Sequence, residues 1–379
     1  MPVLALFGSY DPEHPRLRVL IEAWRARGGT IVECHAPLWP DDRAGLPSGG
    51  LLRWIFPWLG TQWRLWRQRK ILREADAVLV PYPGHFDMPL ARHLAWRYEK
   101  QLAFDPFLSL YDTAVTDRGL YAPNTPQARL LRFIDRFSLR LADLILADTS
   151  PMAAYYAKLA ALPPERFSVI PIGADNVFSP PPEGGCPAGF PPTSPARVHR
   201  TEAGDAIQVL FYGTMIPLHG ITTILDAARQ LQDAPIRFHL VGEGQVPLAR
   251  MLAEHPLPNV HHTPSVPRAQ LPALLTEADI CLGVFGTSPK TARVVPHKVY
   301  EAAAMGKPII TADTPAMREA FDEAVALVPA GDATALATAI RELAVAPVRR
   351  QAMGVAAHKR FEQAFSLEAI GDRLTEALG

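Results

Sequence analysis

Short runs of consecutive apolar residues alternate along this chain with longer stretches whose apolar residues return every three or four positions. That alternation predicts buried strands separated by amphipathic helices. Residues 3–7 read as a buried strand, followed by the loop Gly8-Ser9-Tyr10-Asp11, a helix over 15–27 and a second strand over 30–34. Further strands are expected over 77–80, 107–111, 144–147 and 167–171, with helical patterns between them. Residues 179–205 are rich in Pro, Gly and Ser and carry no periodic apolar face, as a linker or exposed loop would. A second alternation follows, with strands over 207–212, 237–241, 260–262, 280–284, 308–311 and 324–328. Helices are expected over 221–232, 270–277 and 334–344, and a last one over 367–378. Two sequential βα halves of similar size predict an α/β protein of two Rossmann-like domains facing across a cleft. Ligands in such sheets bind beyond the carboxyl ends of the strands, so the loops there are the places to look for chemistry.

Composition narrows the picture. At 379 residues the chain exceeds the about 250–300 residues at which a single core stops growing. The 38 Lys and Arg balance 38 Asp and Glu, so no global field argues for nucleic acid as a partner. Cys34, Cys186 and Cys281 are three cysteines without metal-ligand spacing, which suggests a reducing compartment. The N-terminus lacks the basic flank of a signal peptide, and no run approaches the ~18 apolar residues of a membrane span. A cytoplasmic protein, or one on the inner face of a membrane, is expected.

The segment from Val294 to Ile310 is the most informative. Pro296 suits the opening of a helix, because its missing N–H falls where no helical bond forms. Gly306 suits its left-handed end, and Pro308 forbids continuation. Lys298 and Glu301, three residues apart, share one face of that helix. A helix N-terminus carrying Lys298 suits an anion such as a diphosphate. Glu301, one turn further in, suits a pair of sugar hydroxyls.

This segment resembles the donor-site motif of the retaining family-4 glycosyltransferases (glycosyl transferases group 1). Phe167-Ser-Val-Ile-Pro-Ile-Gly173-Ala-Asp175-Asn-Val-Phe178-Ser-Pro180 is similar to that family's hinge signature. Phe211-Tyr-Gly213 through His219-Gly220 is similar to the first strand and glycine loop of its C-terminal domain. Val241-Gly242-Glu-Gly244, Glu277-Ala-Asp279 and the strand after Pro308 follow in the family's order. The resemblance covers roughly residues 165 to 345. It implies a glycosyltransferase B-type fold: an acceptor-binding domain over 1–178, with a final helix over 366–379 packing back on it, and a nucleotide-sugar domain over 206–365. It also implies a nucleoside-diphosphate sugar donor, a glycan, lipid-linked or small-molecule hydroxyl acceptor, and retention of configuration. No Asp-x-Asp pair stands at an expected strand end to hold a divalent metal, so metal independence is expected. The leaving diphosphate oxygen would help remove the acceptor proton.

The donor site departs from the family pattern. An Arg after the first glycine and a Lys before the second are replaced by Thr214 and His219. Neither is an equivalent phosphate clamp at neutral pH. A glutamate usually found eight residues before the position of Glu301 is Arg293 here. Lys290, Arg293 and Lys298 in one loop and helix start are candidates to restore the lost charge. Gly213, Gly220 and Gly242 permit tight turns or close approach to a ligand, and the family places the nucleobase near Ser265-Val266. On the acceptor side, Gly8, Ser9 and Tyr10 follow the first strand and His85 follows the strand over 77–80. Asp112, Asp117 and Arg118 follow the strand expected over 107–111. Asp112 and His85, with Glu301, are the catalytic candidates, although the family often has a histidine where Asp112 stands.

Residues 51–73 hold four tryptophans, six basic residues and no acid, with Pro57 and Gly60 expected to break them into short helices. This is the composition of a segment resting on an anionic membrane, and equally of a core-packed helix whose arginines face water. Two rivals to a transferase remain on the residues alone: a sugar-nucleotide epimerase or phosphorylase of the same fold, and a non-catalytic protein that kept it. The lost Arg/Lys pair favours the latter.

Overall fold

The computed structural model describes residues 1–38, 52–180 and 206–379. It divides into two units, Met1–Pro171 with Leu367–Gly379, and Ile172–Ser366. The linker expected over 179–205 lies almost wholly outside the described residues, as does Cys186. The division falls after Pro171 rather than near 178, because Asp175 and Phe178 are held by residues of the second unit.

The first unit is built from β1 (Val3–Gly8), α1 (Pro15–Ala26), β2 (Thr30–His35), α2 (Leu52–Gln68), β3 (Ala77–Val80) and α3 (Met88–Tyr98). It continues through β4 (Gln101–Phe104), α4 (Pro126–Leu141), β5 (Leu144–Ala147), α5 (Ser150–Ala160) and β6 (Phe167–Val169). All its strand pairs are parallel, in the order β2-β1-β3-β4-β5-β6. A right-handed crossover from β1 back to β2 puts α1 on one face of the sheet. The crossovers running the other way put α2, α3, α4 and α5 on the opposite face, where α3 packs on α4 and α4 on α5. Leu4, Leu6, Leu17, Leu20, Trp24 and Leu79 form the core beneath α1.

In the second unit come β7 (Ile207–Tyr212), α6 (Ile221–Gln230), β8 (Ile236–Val241), α7 (Leu248–Glu254), β9 (Val260–Thr263), α8 (Leu271–Glu277) and β10 (Ile280–Leu282). After them lie α9 (His297–Ala304), β11 (Ile309–Ala312), α10 (Pro315–Ala320), β12 (Ala326–Val328), α11 (Ala333–Ala344) and α12 (Pro347–Ala364). The second sheet is also parallel, ordered β12-β11-β10-β7-β8-β9. Its core gathers Phe211, Ile224, Phe238, Leu240, Ile310 and Leu336. The last helix, α13 (Leu367–Leu378), returns to the first unit and packs on α1. Gly371 makes that approach possible, since a Cβ there would lie 2.6 Å from the Ala23 carbonyl oxygen.

Threonine followed by proline starts several helices. Thr125, Thr149 and Thr314 cap α4, α5 and α10 by accepting a hydrogen bond from the third residue on, while proline takes a position whose N–H needs no partner. In α9 the chain turns helical one residue after Pro296, which serves as the cap itself. Gly306 is left-handed beyond its end, at φ +64°.

Two expectations fail here. No strand runs over 107–111; the strand is β4, which leaves α3 directly through left-handed Glu99 and pairs Ala77 with Gln101. Residues 107–111 turn away because Phe107 is left-handed and Asp135 takes their donors. Its carboxylate accepts Leu110 N (2.9 Å), Tyr111 N (2.9 Å) and Ser109 Oγ (2.7 Å). A strand signal in apolar residues is overridden by a buried acceptor from α4. Pro57 and Gly60 likewise do not interrupt α2, which is one helix with Pro57 inside it. Thr61 and Leu65 bury one face of it and Leu72 buries the turn that follows, and this packing outweighs the single helical bond that proline removes.

Candidate functional site

The loops that leave β7, β8 and β10 are laced together by their backbones. Gly213 N donates to Val241 O (2.9 Å), Met215 N to Glu243 O (3.0 Å) and Phe285 N to His219 O (3.1 Å). Gly213 sits at φ +137°, and a Cβ there would lie 2.9 Å from Lys298 Nζ and 3.3 Å from His219 Cε1. Glycine is required twice over, by conformation and by the cation pressed against it. Gly242 adjoins Gly213 backbone to backbone, and Gly220 is the left-handed cap of α6. Thr214, exposed, offers no charge, and its carbonyl meets the Nδ1 side of His219.

Lys298 is the central feature. Its side chain is buried on the first turn of α9, its Nζ has no hydrogen-bond partner, and it stands 3.8 Å from the centroid of the Phe211 ring. The ring face supplies part of what water would, but not a counter-charge. Burial pushes the Lys298 ammonium well below its usual value, with Glu301 pulling the other way. His219 is also pushed down, by burial first and then by Lys298, so its imidazole is neutral near pH 7. Lys290 is buried in the same loop region and Arg293 is half-buried. Val266 is half-buried and Ser265 exposed in the loop after β9.

Glu301, at 2% exposure, is no surface residue, and it belongs to a chain of contacts. Tyr212 Oη donates to its Oε2 at 2.6 Å, and Arg268 Nη1 donates to its Oε1 at 3.0 Å. Arg268 Nη2 then reaches Asp175 Oδ2 at 3.1 Å, and the guanidinium lies 5.0 Å over the Phe178 ring. Burial pushes the Glu301 carboxyl up, against the pull of Arg268 and Tyr212. Two of the about four lone-pair positions of a carboxylate are used by these donors, leaving acceptor capacity on both oxygens. Sequence reasoning missed Tyr212, Asp175 and Arg268 as parts of this arrangement. No local pattern marks Arg268, which comes from the turn before α8 and meets Glu301 33 residues later in the chain.

In the first unit the acceptor candidates are engaged by the protein itself. Ser9 N and Oγ both donate to Asp87 Oδ2 (2.7 and 2.8 Å), and Gln62 holds the other oxygen at 2.7 Å. Gly8 is left-handed against that same carboxylate. Tyr10 is buried, donates to Glu33 at 3.0 Å and stacks on His35. His85 is buried with Nε2 3.4 Å from Asp135 and its ring edge-on to Phe104. Asp112 and Asp117 do not follow a strand; they begin and end a buried π-helical turn, with Arg118 just beyond. The residue at the strand end is Asp105, which pairs with buried Arg16 at 2.9 Å; Arg16 also donates to Ile170 O and Pro171 O. Among the described residues no group of three or more His, Cys, Asp or Glu is placed to hold a metal ion.

Residues 206–345 match the family model of the glycosyl transferases group 1. The chain carries a glycosyltransferase domain. That domain holds the glycine loops, Lys298 and Glu301, and it marks the chain as a glycosyltransferase enzyme. Solved structures agree on the two-domain fold. Sucrose-phosphate synthase from Thermosynechococcus elongatus superposes with a TM-score of 0.73 at 19% identity, over 99% of this chain and 98% of that one. HepE of Anabaena in complex with UDP-glucose gives 0.67 at 16% identity, over 100% and 99%. A trehalose-6-phosphate protein from E. coli bound with UDP-2-fluoro glucose gives 0.67 at 12% identity, over 100% and 99%. No curated protein sequence matches the chain.

Proposed function

We propose that the enzyme moves a sugar from a nucleoside-diphosphate sugar to a hydroxyl acceptor of the glycan or lipid-linked class, with retention of configuration. One observation carries this reading: a buried lysine ammonium without a hydrogen-bond partner, at the start of a helix and pressed against a glycine whose place no side chain could take. A buried cation of this kind is costly unless something anionic completes it. A diphosphate is the anion that the surrounding loop N–H groups and helix start suit. HepE and the E. coli protein were solved with UDP-sugar ligands, which supports the donor class.

In this reading Lys298 compensates charge that builds on the leaving diphosphate as the glycosidic bond breaks. Lys290 and Arg293 take up the phosphate-binding duty that Thr214 and His219 do not perform. Glu301, set by Tyr212 and Arg268, accepts hydrogen bonds from donor hydroxyls and orients the donor. The acceptor hydroxyl gives its proton to a diphosphate oxygen as its own oxygen bonds to the anomeric carbon. No strongly basic side chain is then needed.

Thermal unfolding against a panel of nucleoside diphosphates tests the reading. A ligand at about a hundred times its dissociation constant adds roughly 2.7 kcal/mol. The expected result is a shift with one base that Lys298→Met removes. Absence of any shift across the panel would overturn the donor assignment and favour a fold kept without catalysis. Glu301→Gln is the better probe of the carboxylate than Glu301→Ala, which also strips partners from Tyr212 and Arg268.

A further inference from the structure

The outer face of the first unit carries a second, unassigned feature. Helices α2, α3 and α4 lie side by side on one face of the sheet, and their sequences contain nine arginines and one carboxylate. The single carboxylate, Asp135, points inward at 1% exposure. In a chain whose 38 basic and 38 acidic residues cancel, this is a strong local segregation. The apolar residues are segregated too. Helix α4 buries Asp135 and Ser138 while exposing Leu130, Phe133 (61%) and Phe137. The two phenylalanine rings stack at 5.8 Å, and with Arg129, Arg132, Arg136 and Arg140 they line a shallow recess of about 430 Å³. Helix α2 exposes Phe56, Leu59, Trp63 and Trp66, and α3 adds Trp96. Arginines are stacked on these rings: Arg67 over Trp63 at 4.8 Å and Arg69 over Trp66 at 4.6 Å.

Core packing does not account for this face, because Leu65, Leu72, Ala91, Leu94, Ala128 and Leu139 supply the inward side of the same helical layer. At the edge of this face Arg92 of α3 pairs with Asp143 at 2.6 Å and Glu99 is exposed near Trp96. The exposed aromatic rings of α2 and α4, framed by arginines with no exposed carboxylate on either helix, match one surface chemistry: apolar acyl chains beneath a layer of negative headgroups. No helix of the described residues is long and apolar enough to cross a membrane. We infer that α2, α3 and α4 dock the protein on an anionic lipid bilayer, with the aromatic rings at headgroup depth and the arginines on lipid phosphates. The arginine–phenylalanine face of α4 extends the basic stretch of residues 51–73 into a three-helix surface. This docking does not depend on the donor assignment and is read without nucleotide.

Co-sedimentation of the intact protein with phosphatidylcholine vesicles, alone or mixed with phosphatidylglycerol, tests it. The expected result is recovery with the anionic vesicles only, weakening as ionic strength rises. Each surface arginine contributes roughly a fivefold change. Neutralising Arg67, Arg129 and Arg132 together to Gln therefore lowers vesicle affinity roughly a hundredfold. Trp63→Ser with Phe133→Ser, which leaves the charge unchanged, weakens binding as well, and neither variant alters thermal unfolding. Equal recovery in solution with and without acidic lipid would overturn the inference. So would unchanged binding in both variants, or a concentration-dependent self-association that the same substitutions abolish without any vesicle binding. If the variants do not fold, brominated acyl chains decide with the wild-type protein: tryptophan quenching is expected, and none would sink the proposal.

Discussion

Two buried cations, one in each unit, are treated in opposite ways. In the first, Arg16 finds Asp105 and two backbone carbonyls, and Asp87 is met by Ser9 and Gln62. In the second, Lys298 is buried beside a phenylalanine ring with no hydrogen-bond partner for its ammonium. A completed pair is scaffold: it fixes chain ends and leaves little for a ligand to add. An incomplete one leaves charge for a ligand of opposite sign to compensate, the role proposed above for Lys298. Both cations are buried, and the partners around them are what separate Arg16 from Lys298.

The contrast is sharpest where a single residue is removed. Arg16→Met leaves Asp105 buried without its cation and is expected to cost about 3–5 kcal/mol, measured by denaturant unfolding. Lys298→Met should do the reverse, raising stability by about 1–3 kcal/mol because an unpaired buried cation disappears. The same change should weaken nucleoside-diphosphate binding about 10- to 100-fold by calorimetry. A lysine that proved to stabilise the fold would erase the difference between the units.

A subtler test uses pH. Burial lowers the Lys298 value in the folded protein, so between that value and the ordinary ~10.4 the unfolded chain binds more protons. Stability should rise with pH across that window. A bound diphosphate raises the lysine again, so binding takes up a proton and affinity falls as pH rises through the same window. Titration calorimetry in buffers of different ionisation enthalpy reads the uptake directly, and Lys298→Met should abolish it. The smallest effect expected is at the hydroxyl of Tyr212, where Tyr212→Phe removes one hydrogen bond to Glu301. It should cost about 0.5–1.5 kcal/mol of stability, with a modest loss of donor affinity.

Much of the architecture was legible in the chain. Apolar runs such as those of β1, β5 and β7, set between helical patterns, read as buried parallel strands, and glycine and proline punctuate them by backbone geometry. The end of α9 at Gly306 and the start of α4 at Thr125-Pro126 are local facts of the same kind. Lys298 and Glu301 were visible because one turn of helix brings them to a common face. The missed strand shows the limit: residues 107–111 have a strand's composition, yet a carboxylate from α4 satisfies their N–H groups and turns them.

The sequence by itself determined the two βα halves, the helix that presents Lys298 and Glu301, the cations missing at Thr214 and His219, and the arginine that stands at 293 in place of a glutamate. These depend on periodicity and on residues a few positions apart. Only the tertiary structure decided that Lys298 Nζ lies without a hydrogen-bond partner, that Tyr212 and an Arg268 anchored by Asp175 hold Glu301, and that α4 turns its phenylalanines outward. Each of these joins or separates residues from distant segments. Solvent exclusion and pairing are properties of a packed neighbourhood, which no single stretch of chain contains.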